Sequence, residues 1–397
     1  MPEPPVIETL VLQPTPFCNI ACSYCYLPNR NDRSVMTHET IEATFVRVFD
    51  SGWCAPELNV IWHAGEPLVM PVAWYRDAFD RIAGMAPAGL RLRHAVQTNG
   101  MLISPAWCEL FRTYDVGVGV SLDGPAALHD RHRLTRGGKG TFARTMDGIR
   151  LLQSHGVDFH VISVLTAESL GDPDGMLRFF QDAGIDQICF NVEESEGAHE
   201  SSLFAEAGLR NRFAAFLDRF WRAARTAGTV RFIREIDAML PRIVRPDEID
   251  MRNEQVVPFG MVNVAANGDV SSFSPELLGL RDARYADFIV GNVHTHTLPE
   301  MLAGRSMQRL WRDIATGVER CRATCEYFSV CGGGAPVNKL TENGGFDSDR
   351  TRFCELTQMV PTDLILDALE RIDPVLQQID DPSSASHGRA PCQTSAA

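Results

Sequence analysis

From residue 9 to about residue 228, short apolar and β-branched runs alternate with longer stretches whose apolar positions recur at helical spacing. That alternation is the signature of repeated βα units around a parallel sheet. Six units are predicted, with strands at 9–13, 58–63, 93–97, 116–122, 159–165 and 187–192. A closed eight-stranded barrel takes about 250 residues, so six units predict an α/β fold in which a (β/α)6 barrel is left incomplete. Such a barrel is open on one side and suits a bulky substrate such as a peptide. Beyond this 1–228 barrel unit the pattern changes. Residues 229–257 read as a helical connector. Residues 258–380 read as a second unit, opening with a hairpin (261–265 and 270–273 around Asn267-Gly268-Asp269) and closing with a helix over 362–379. The last stretch, 381–397, is small and polar and is predicted to be disordered.

Composition narrows the class without identifying it. The 397 residues are 45% hydrophobic and 22% charged, ordinary proportions for a globular chain. No apolar run approaches the roughly 18–20 residues that span a bilayer. The N-terminal MPEPPVIETL lacks the basic region and apolar run of a signal peptide, so the expectation is a cytoplasmic protein with no membrane partner. A net charge of −14 argues against a nucleic-acid partner, which needs clustered Lys and Arg. Eleven cysteines in a reducing compartment read as ligands plus a few packed thiols. Seven fall in two groups, whereas Cys54, Cys108, Cys189 and Cys392 are scattered and read as buried or tail thiols.

The first group, Cys18-Asn19-Ile20-Ala21-Cys22-Ser23-Tyr24-Cys25, sets three thiols at C-x3-C-x2-C spacing after the first predicted strand. Four thiolates would close a [4Fe-4S] cluster, whereas three leave one iron open to a substrate or cofactor. Zinc is the structural alternative, although it usually takes four ligands with pairs spaced C-x2-C. In parallel βα folds chemistry collects on the loops at C-terminal strand ends. There, His63-Ala64-Gly65-Glu66-Pro67 ends the second strand, Gln97-Thr98-Asn99-Gly100 the third, Ser121-Leu122-Asp123-Gly124-Pro125 the fourth and Asn191-Val192-Glu193-Glu194 the sixth. Any one could be an ordinary turn. Their succession behind a cysteine triad points to one site.

These residues resemble the radical S-adenosylmethionine (SAM) superfamily, a resemblance that implies a partial TIM-type barrel. It also implies that the open iron chelates the amino and carboxylate groups of SAM. One electron then cleaves the sulfonium to methionine and a 5′-deoxyadenosyl radical, which abstracts a substrate hydrogen. His63 to Pro67 matches the family's Gly-Gly-Glu-Pro motif, with Ala64 replacing the first Gly. Gly65 is expected to let the backbone approach the ligand, and Glu66 to accept a hydrogen bond from the methionine ammonium. Ser121 and Arg133 resemble the pair that addresses the methionine carboxylate, with Arg136 and Arg144 competing for the arginine role. Asn99 and Asp123 are candidate ribose or supporting groups, and Asn191 and Val192 candidate adenine contacts.

The second group is Cys321, Cys325, Cys331 and Cys354, with Cys331 opening a Cys-Gly-Gly-Gly run. Spacing alone leaves a cluster and a zinc site both open. Beside the triad, the group resembles the SPASM extension of peptide-modifying radical SAM enzymes, which implies an auxiliary [4Fe-4S] cluster. The usual extension holds two clusters and has a cysteine after a Gly-Asp hairpin; here Phe273 stands at that place, so one auxiliary cluster is expected. Ser274 stands where sulfatase-maturing relatives carry an Asp base, and Glu276 becomes the candidate base, a solvated surface carboxylate being the plain alternative.

Whole-chain resemblance is to the cyclophane-forming peptide maturases, through Trp62 to Leu68, Phe190 to Glu194 with Glu196-Gly197, Phe273 to Gly279, and Cys331 to Pro336 with Asn338-Lys339. It implies a bond between an aromatic ring carbon and a β-carbon in a ribosomally made precursor peptide, with flavodoxin or ferredoxin as reductant. Two other readings stand beside it. One is oxidation of Cys or Ser to formylglycine in a sulfatase; the other is a non-catalytic iron-sulfur or zinc protein.

Overall fold

The structure is a computed structural model that describes residues 5–195, 199–201, 203–249, 252–372 and 374–376. Glu196-Gly197, Cys392, the end of the last expected helix and the 381–397 tail lie outside the described residues.

Among the described residues twelve strands occur: β1 Ile7–Leu12, β2 Ile20–Cys22, β3 Cys54–Trp62, β4 Arg91–Thr98, β5 Gly117–Ser121, β6 Arg133–Thr135, β7 Phe159–Leu165, β8 Gln187–Val192, β9 Phe232–Ile233, β10 Met261–Val264, β11 Asp269–Ser272 and β12 Gly291–Asn292. Ten of them form one sheet in the order β12-β11-β10-β1-β3-β4-β5-β7-β8-β9. From β10 to β9 every pairing is parallel. The six expected strands are therefore adjacent and in chain order. β8 is buried at every position, as a strand covered on both faces must be. β3 begins at Cys54, earlier than its apolar run suggests, because Ile7 pairs with Cys54 before a register shift brings Thr9 opposite Asn59.

The connecting helices bury one face each against the sheet. His38–Asp50 begins at Thr37, whose side chain accepts from Thr40 N, and Pro173–Asp182 begins at Asp172, whose side chain accepts from Gly175 N. Trp62, at the end of β3, packs edge-on against Tyr75 and Phe79 of the helix Val72–Met85. Phe190 of β8 does the same with Phe216 and Phe220 of Leu209–Ala227. These aromatic pairs fix helix to sheet beyond area burial.

The hairpin β10–β11 is present, and β10 also pairs with β1, Thr9 opposite Met261. The hairpin thus continues the barrel sheet and covers what would otherwise be the open edge of β1. Behind it lie the helices Arg305–Thr324 and Pro336–Asn343, then Val360–Glu370, which packs on Leu209–Ala227. No helix among the described residues is long and apolar enough to cross a membrane.

At this junction Glu254 is half-buried beside β1. Burial pushes its carboxyl up to about 7, the neighbouring Glu8 adds to the rise, and a hydrogen bond with the Thr9 side chain opposes it. A carboxyl raised on folding favours the native state while it is protonated and loses that contribution as pH climbs from its ordinary value of 4.5 toward about 7. Glu254→Gln is therefore expected to be more stable than the parent at pH 7, by on the order of 3 kcal/mol, and to match it near pH 4. Denaturant unfolding at the two pH values measures the difference.

Candidate active site

The cysteine loop leaves β1 and is held at several points. Its middle forms β2, which pairs antiparallel with β6, Cys22 opposite Arg133. Strands this short carry no periodicity, so sequence reading missed the pairing. Arg30 Nη1 donates to Cys22 O at 2.8 Å and Arg136 Nε to Cys18 O at 2.8 Å. The guanidinium groups of Arg33 and Arg136 both lie over Phe17, at 4.7 and 4.8 Å from the ring centre. Arg136 is thus committed to the loop backbone, and Arg144 reaches Met101 O at 3.4 Å.

Cys18, Cys22 and Cys25 gather around Ile20 and Met101. Burial pushes the Cys18 thiol up to about 12, helped by the nearby Glu66 carboxylate, and Cys22 up to about 11. Two desolvated thiols with a third, Cys25, in electrostatic reach of both call for a cationic partner to become thiolates. Among the described residues, no group of three or more His, Cys, Asp or Glu side chains could hold a single metal ion.

The loop after β3 is strained in a way its sequence only hints at. Ala64 has φ +68° and Gly65 φ +69°. A Cβ at Gly65 would lie 2.3 Å from Thr15 O and 2.8 Å from Phe17 O, so the glycine is required by contact with the cysteine loop's own backbone. Ala64 occupies the left-handed region, at a cost of about 1–2 kcal/mol. Ala64→Gly is expected to raise stability by about 0.5–1 kcal/mol after the glycine's unfolded-state entropy. Gly65→Ala is expected to lower it by more than about 2 kcal/mol. Chemical denaturation of the two variants checks both signs.

Glu66 is sealed in the interior, where burial raises its carboxyl above the usual range against the pull of its three donors. Its Oε1 accepts from Leu68 N at 3.0 Å and Thr98 Oγ1 at 2.6 Å, and its Oε2 from Asn99 N at 2.8 Å. It ties the β3 loop to the β4 loop, and a carboxylate with about four acceptor positions keeps one for a ligand. Asn99 links onward: its Nδ2 donates to Asn19 Oδ1 at 2.7 Å, and its Oδ1 accepts from Met101 N at 3.1 Å.

Arg133 is turned to Asp123 through Nε–Oδ2 at 3.0 Å and Nη2–Oδ1 at 3.1 Å, while Ser121 accepts from Gln97 Nε2 at 3.2 Å. Asp123 also accepts from the Tyr24 hydroxyl and, at 3.1 Å, from Val164 N. Burial works against its charge, but Arg133 outweighs that and holds the carboxyl below its ordinary value. The pair sits directly behind Cys22 and Tyr24. Asn191 accepts from Arg234 Nη2 at 2.7 Å, leaving its own Nδ2 buried without a hydrogen-bond partner. A buried donor with nothing to bond to is what a ring-nitrogen acceptor would satisfy. Val192 follows it on β8, buried.

A second cluster of groups closes the sheet's other flank. After β11, Ser274 N donates to Ser272 O at 3.0 Å across Phe273, whose φ is +73°. This tight reversal buries Phe273 and turns Glu276 inward at 4% exposure, where Ser274 Oγ donates to it. Glu194, beyond β8, accepts from Asn338 Nδ2. Burial first, then the like charge of Glu276, pushes its carboxyl up. The ends of β11 and β8 lie on opposite flanks of the sheet, so this coupling marks the curl that brings the flanks together. Glu194 was legible only as part of a strand-end phrase; nothing in the sequence signals its pairing with Glu276.

The four C-terminal thiols lie within electrostatic reach of one another, Cys331 with Cys325 and Cys321, and Cys354 with Cys331 and Cys325. Backbone amides of Gly333 and Gly334 point at the Cys331 sulfur, and Thr351 N lies 3.2 Å from the Cys354 sulfur. Of the scattered thiols, Cys108 and Cys189 are fully buried and Cys54 partly so.

A parallel αβ sheet with a three-thiol loop at the C-terminal end of its first strand defines a radical enzyme scaffold, and the comparisons agree. Residues 12–180 match the radical SAM superfamily. The Synechocystis protein sll1766, itself uncharacterised, is 40% identical over 91% of this chain and 92% of its own length. The serine-type anaerobic sulfatase-maturating enzyme of Bacteroides thetaiotaomicron is 25% identical over 85% of this chain and 84% of its own. Among solved structures, anSMEcpe with bound AdoMet and Cp18Cys peptide shares the fold at a TM-score of 0.74 with 19% identity, over 95% of this chain and 99% of that one. Streptococcus suis SuiB bound to precursor peptide SuiA follows at 0.61 with 16% identity, over 88% and 76%. The chain belongs to the radical SAM superfamily, whose members bind a [4Fe-4S] cluster and SAM.

Proposed function

We propose that the chain crosslinks side chains of a ribosomally made precursor peptide, joining an aromatic ring carbon to a β-carbon. The observation that carries this reading is the pairing of Glu276, 4% exposed, with the half-buried Glu194 at the curl of the sheet, which offers a carboxylate for the proton that crosslinking releases. Cys18, Cys22 and Cys25 would hold the open cluster, and Cys321, Cys325, Cys331 and Cys354 one auxiliary cluster. Gly65, Glu66, Asn99, Ser121, Arg133, Asn191 and Val192 would surround SAM, with Asp123 fixing Arg133. When bound, the first cluster and SAM supply the radical that removes one β-hydrogen.

The remaining work belongs to this chain. Its open flank admits an extended peptide, and Glu276 takes the proton that the ring sheds when aromaticity returns. Glu194, its carboxyl raised to about 8 by burial and by the like charge of Glu276, keeps its proton near neutrality. Neighbouring structures carry peptides, which supports a peptide substrate. A reductant such as flavodoxin or ferredoxin is the expected electron donor.

Similarity to sulfatase-maturating enzymes favours a second reading, oxidation of a peptidyl Ser or Cys to formylglycine. Both crosslinking and Ser oxidation remove two hydrogens, so mass alone does not separate them. The reconstituted protein should be incubated with SAM, dithionite and synthetic peptides, one carrying an aromatic residue two positions before an aliphatic or polar one, the other a sulfatase segment. Crosslinking predicts a product from the first peptide that does not react with hydrazide and gives no fragments between the joined residues. A hydrazide-reactive product from the sulfatase segment alone would establish the second reading instead.

A further inference from the structure

Lys339, on the helix Pro336–Asn343, is 3% exposed. Lysine is almost never buried so deeply unless paired. Among the described residues its polar partner is a sulfur: Nζ lies 3.2 Å from Cys321 Sγ. The space for it is built into the neighbouring helix. Gly317, one turn before Cys321 on Arg305–Thr324, could carry no side chain, since a Cβ there would lie 2.1 Å from Phe346 O and 3.2 Å from Lys339 Nζ. A cationic group on a thiol, backbone amides on two more, and the guanidinium groups of Arg242 and Arg350 near Cys331 and Cys354 bring positive charge to this site, while the Asp349 carbonyl lies 3.0 Å from Cys321 Sγ and Glu355 pairs with Arg350.

We propose that Lys339 is a fixed counter-charge that raises the reduction potential of the auxiliary four-iron cluster held by Cys321, Cys325, Cys331 and Cys354. The inference rests on the auxiliary-cluster reading above. A one-electron reduction adds a negative charge a few ångströms from a buried ammonium, and a low dielectric magnifies the attraction. In the proposed crosslinking, the ring radical sheds one proton to Glu276 and one electron to the oxidised auxiliary cluster, which becomes reduced. Lys339 makes that cluster the better acceptor. Structural zinc has no second redox state and gains nothing from such tuning.

The test uses the full chain with Cys18, Cys22 and Cys25 all changed to Ala, so that the auxiliary site alone takes up iron. After anaerobic reconstitution, iron and sulfide are counted and the midpoint potential is followed by electron paramagnetic resonance in mediated titrations. Lys339→Met is expected to lower the potential by at least about 59 mV, a tenfold change for a one-electron couple. Lys339→Arg is expected to stay near the parent. If Lys339→Met takes up no iron while Lys339→Arg keeps its cluster, the requirement for charge stands. Equal potentials in the parent and Lys339→Met would overturn the inference, as would iron loss from both variants. If the triad-less parent itself binds zinc and no iron, the auxiliary-cluster reading fails and the inference falls with it, an outcome recognisable before any lysine variant is made.

Discussion

Changing any one of Cys18, Cys22 and Cys25 to Ala is expected to lower 5′-deoxyadenosine formation by more than about 100-fold, larger than the loss usual for an outer-sphere partner of a metal ligand. The expectation follows from how the loop is held. β2–β6 pairing, Arg30 and Arg136 fix the backbone of Cys18 and Cys22 independently of their sulfurs, and Cys25 N donates to Cys22 O at 3.4 Å, so the variant loop keeps its path and loses a ligand. Cys108, fully buried in the hydrophobic core, is not placed to substitute. Because the three thiols act as a unit, the triple variant should be no worse than the single ones. Chromatographic assay of 5′-deoxyadenosine with SAM and dithionite, alongside iron counts falling by roughly four per chain, measures the effect. Undiminished deoxyadenosine in the single variants would remove the triad from the chemistry.

The second large effect is expected at Glu276. Glu276→Gln should lower crosslinked product by about 10²–10⁴-fold, the range for loss of a positioned general base, while deoxyadenosine still forms. Hydrogen abstraction and proton loss are separate events, and only the second needs the carboxylate. Glu194→Gln should be milder and should leave the acid limb of the product–pH profile in place, because Glu194, its carboxyl raised to about 8 by burial and by Glu276, is already protonated there. Measuring product and deoxyadenosine in the same samples across pH 5–9 separates the roles. Equal losses of both in Glu276→Gln would instead mark Glu276 as part of SAM binding or of the fold.

The barrel was most legible where a strand is buried on both faces. The run Gln187–Val192 has no exposed position, and such runs bounded by helical stretches read as parallel strands. The hairpin was legible from Asn267-Gly268-Asp269, but its place in the sheet was not. Parallel pairing of Met261 with Thr9 joins residues far apart in the chain, and local pattern carries no trace of it.

At the site, residue types were legible and their partners were not. Gly65 was expected to make room for a ligand, and it makes room for the backbone of Thr15 and Phe17. Arg133 was expected to act with Ser121, and the structure engages it with Asp123, a residue from the same strand-end phrase. Glu276 read equally as base or surface carboxylate until the reversal at Phe273 turned it inside. Each difference comes from a contact across sequence separation, where side-chain chemistry is fixed by neighbours the chain order does not reveal.

The most direct measurement of the central claim uses a peptide deuterated at the β-carbon to be joined. The reconstituted enzyme is incubated with this peptide, SAM and dithionite, and both products are analysed by mass spectrometry. The account predicts 5′-deoxyadenosine carrying one deuterium, and a hydrazide-inert peptide that has lost one β-deuterium and one ring proton. Crosslinked peptide appearing beside unlabelled 5′-deoxyadenosine would contradict it.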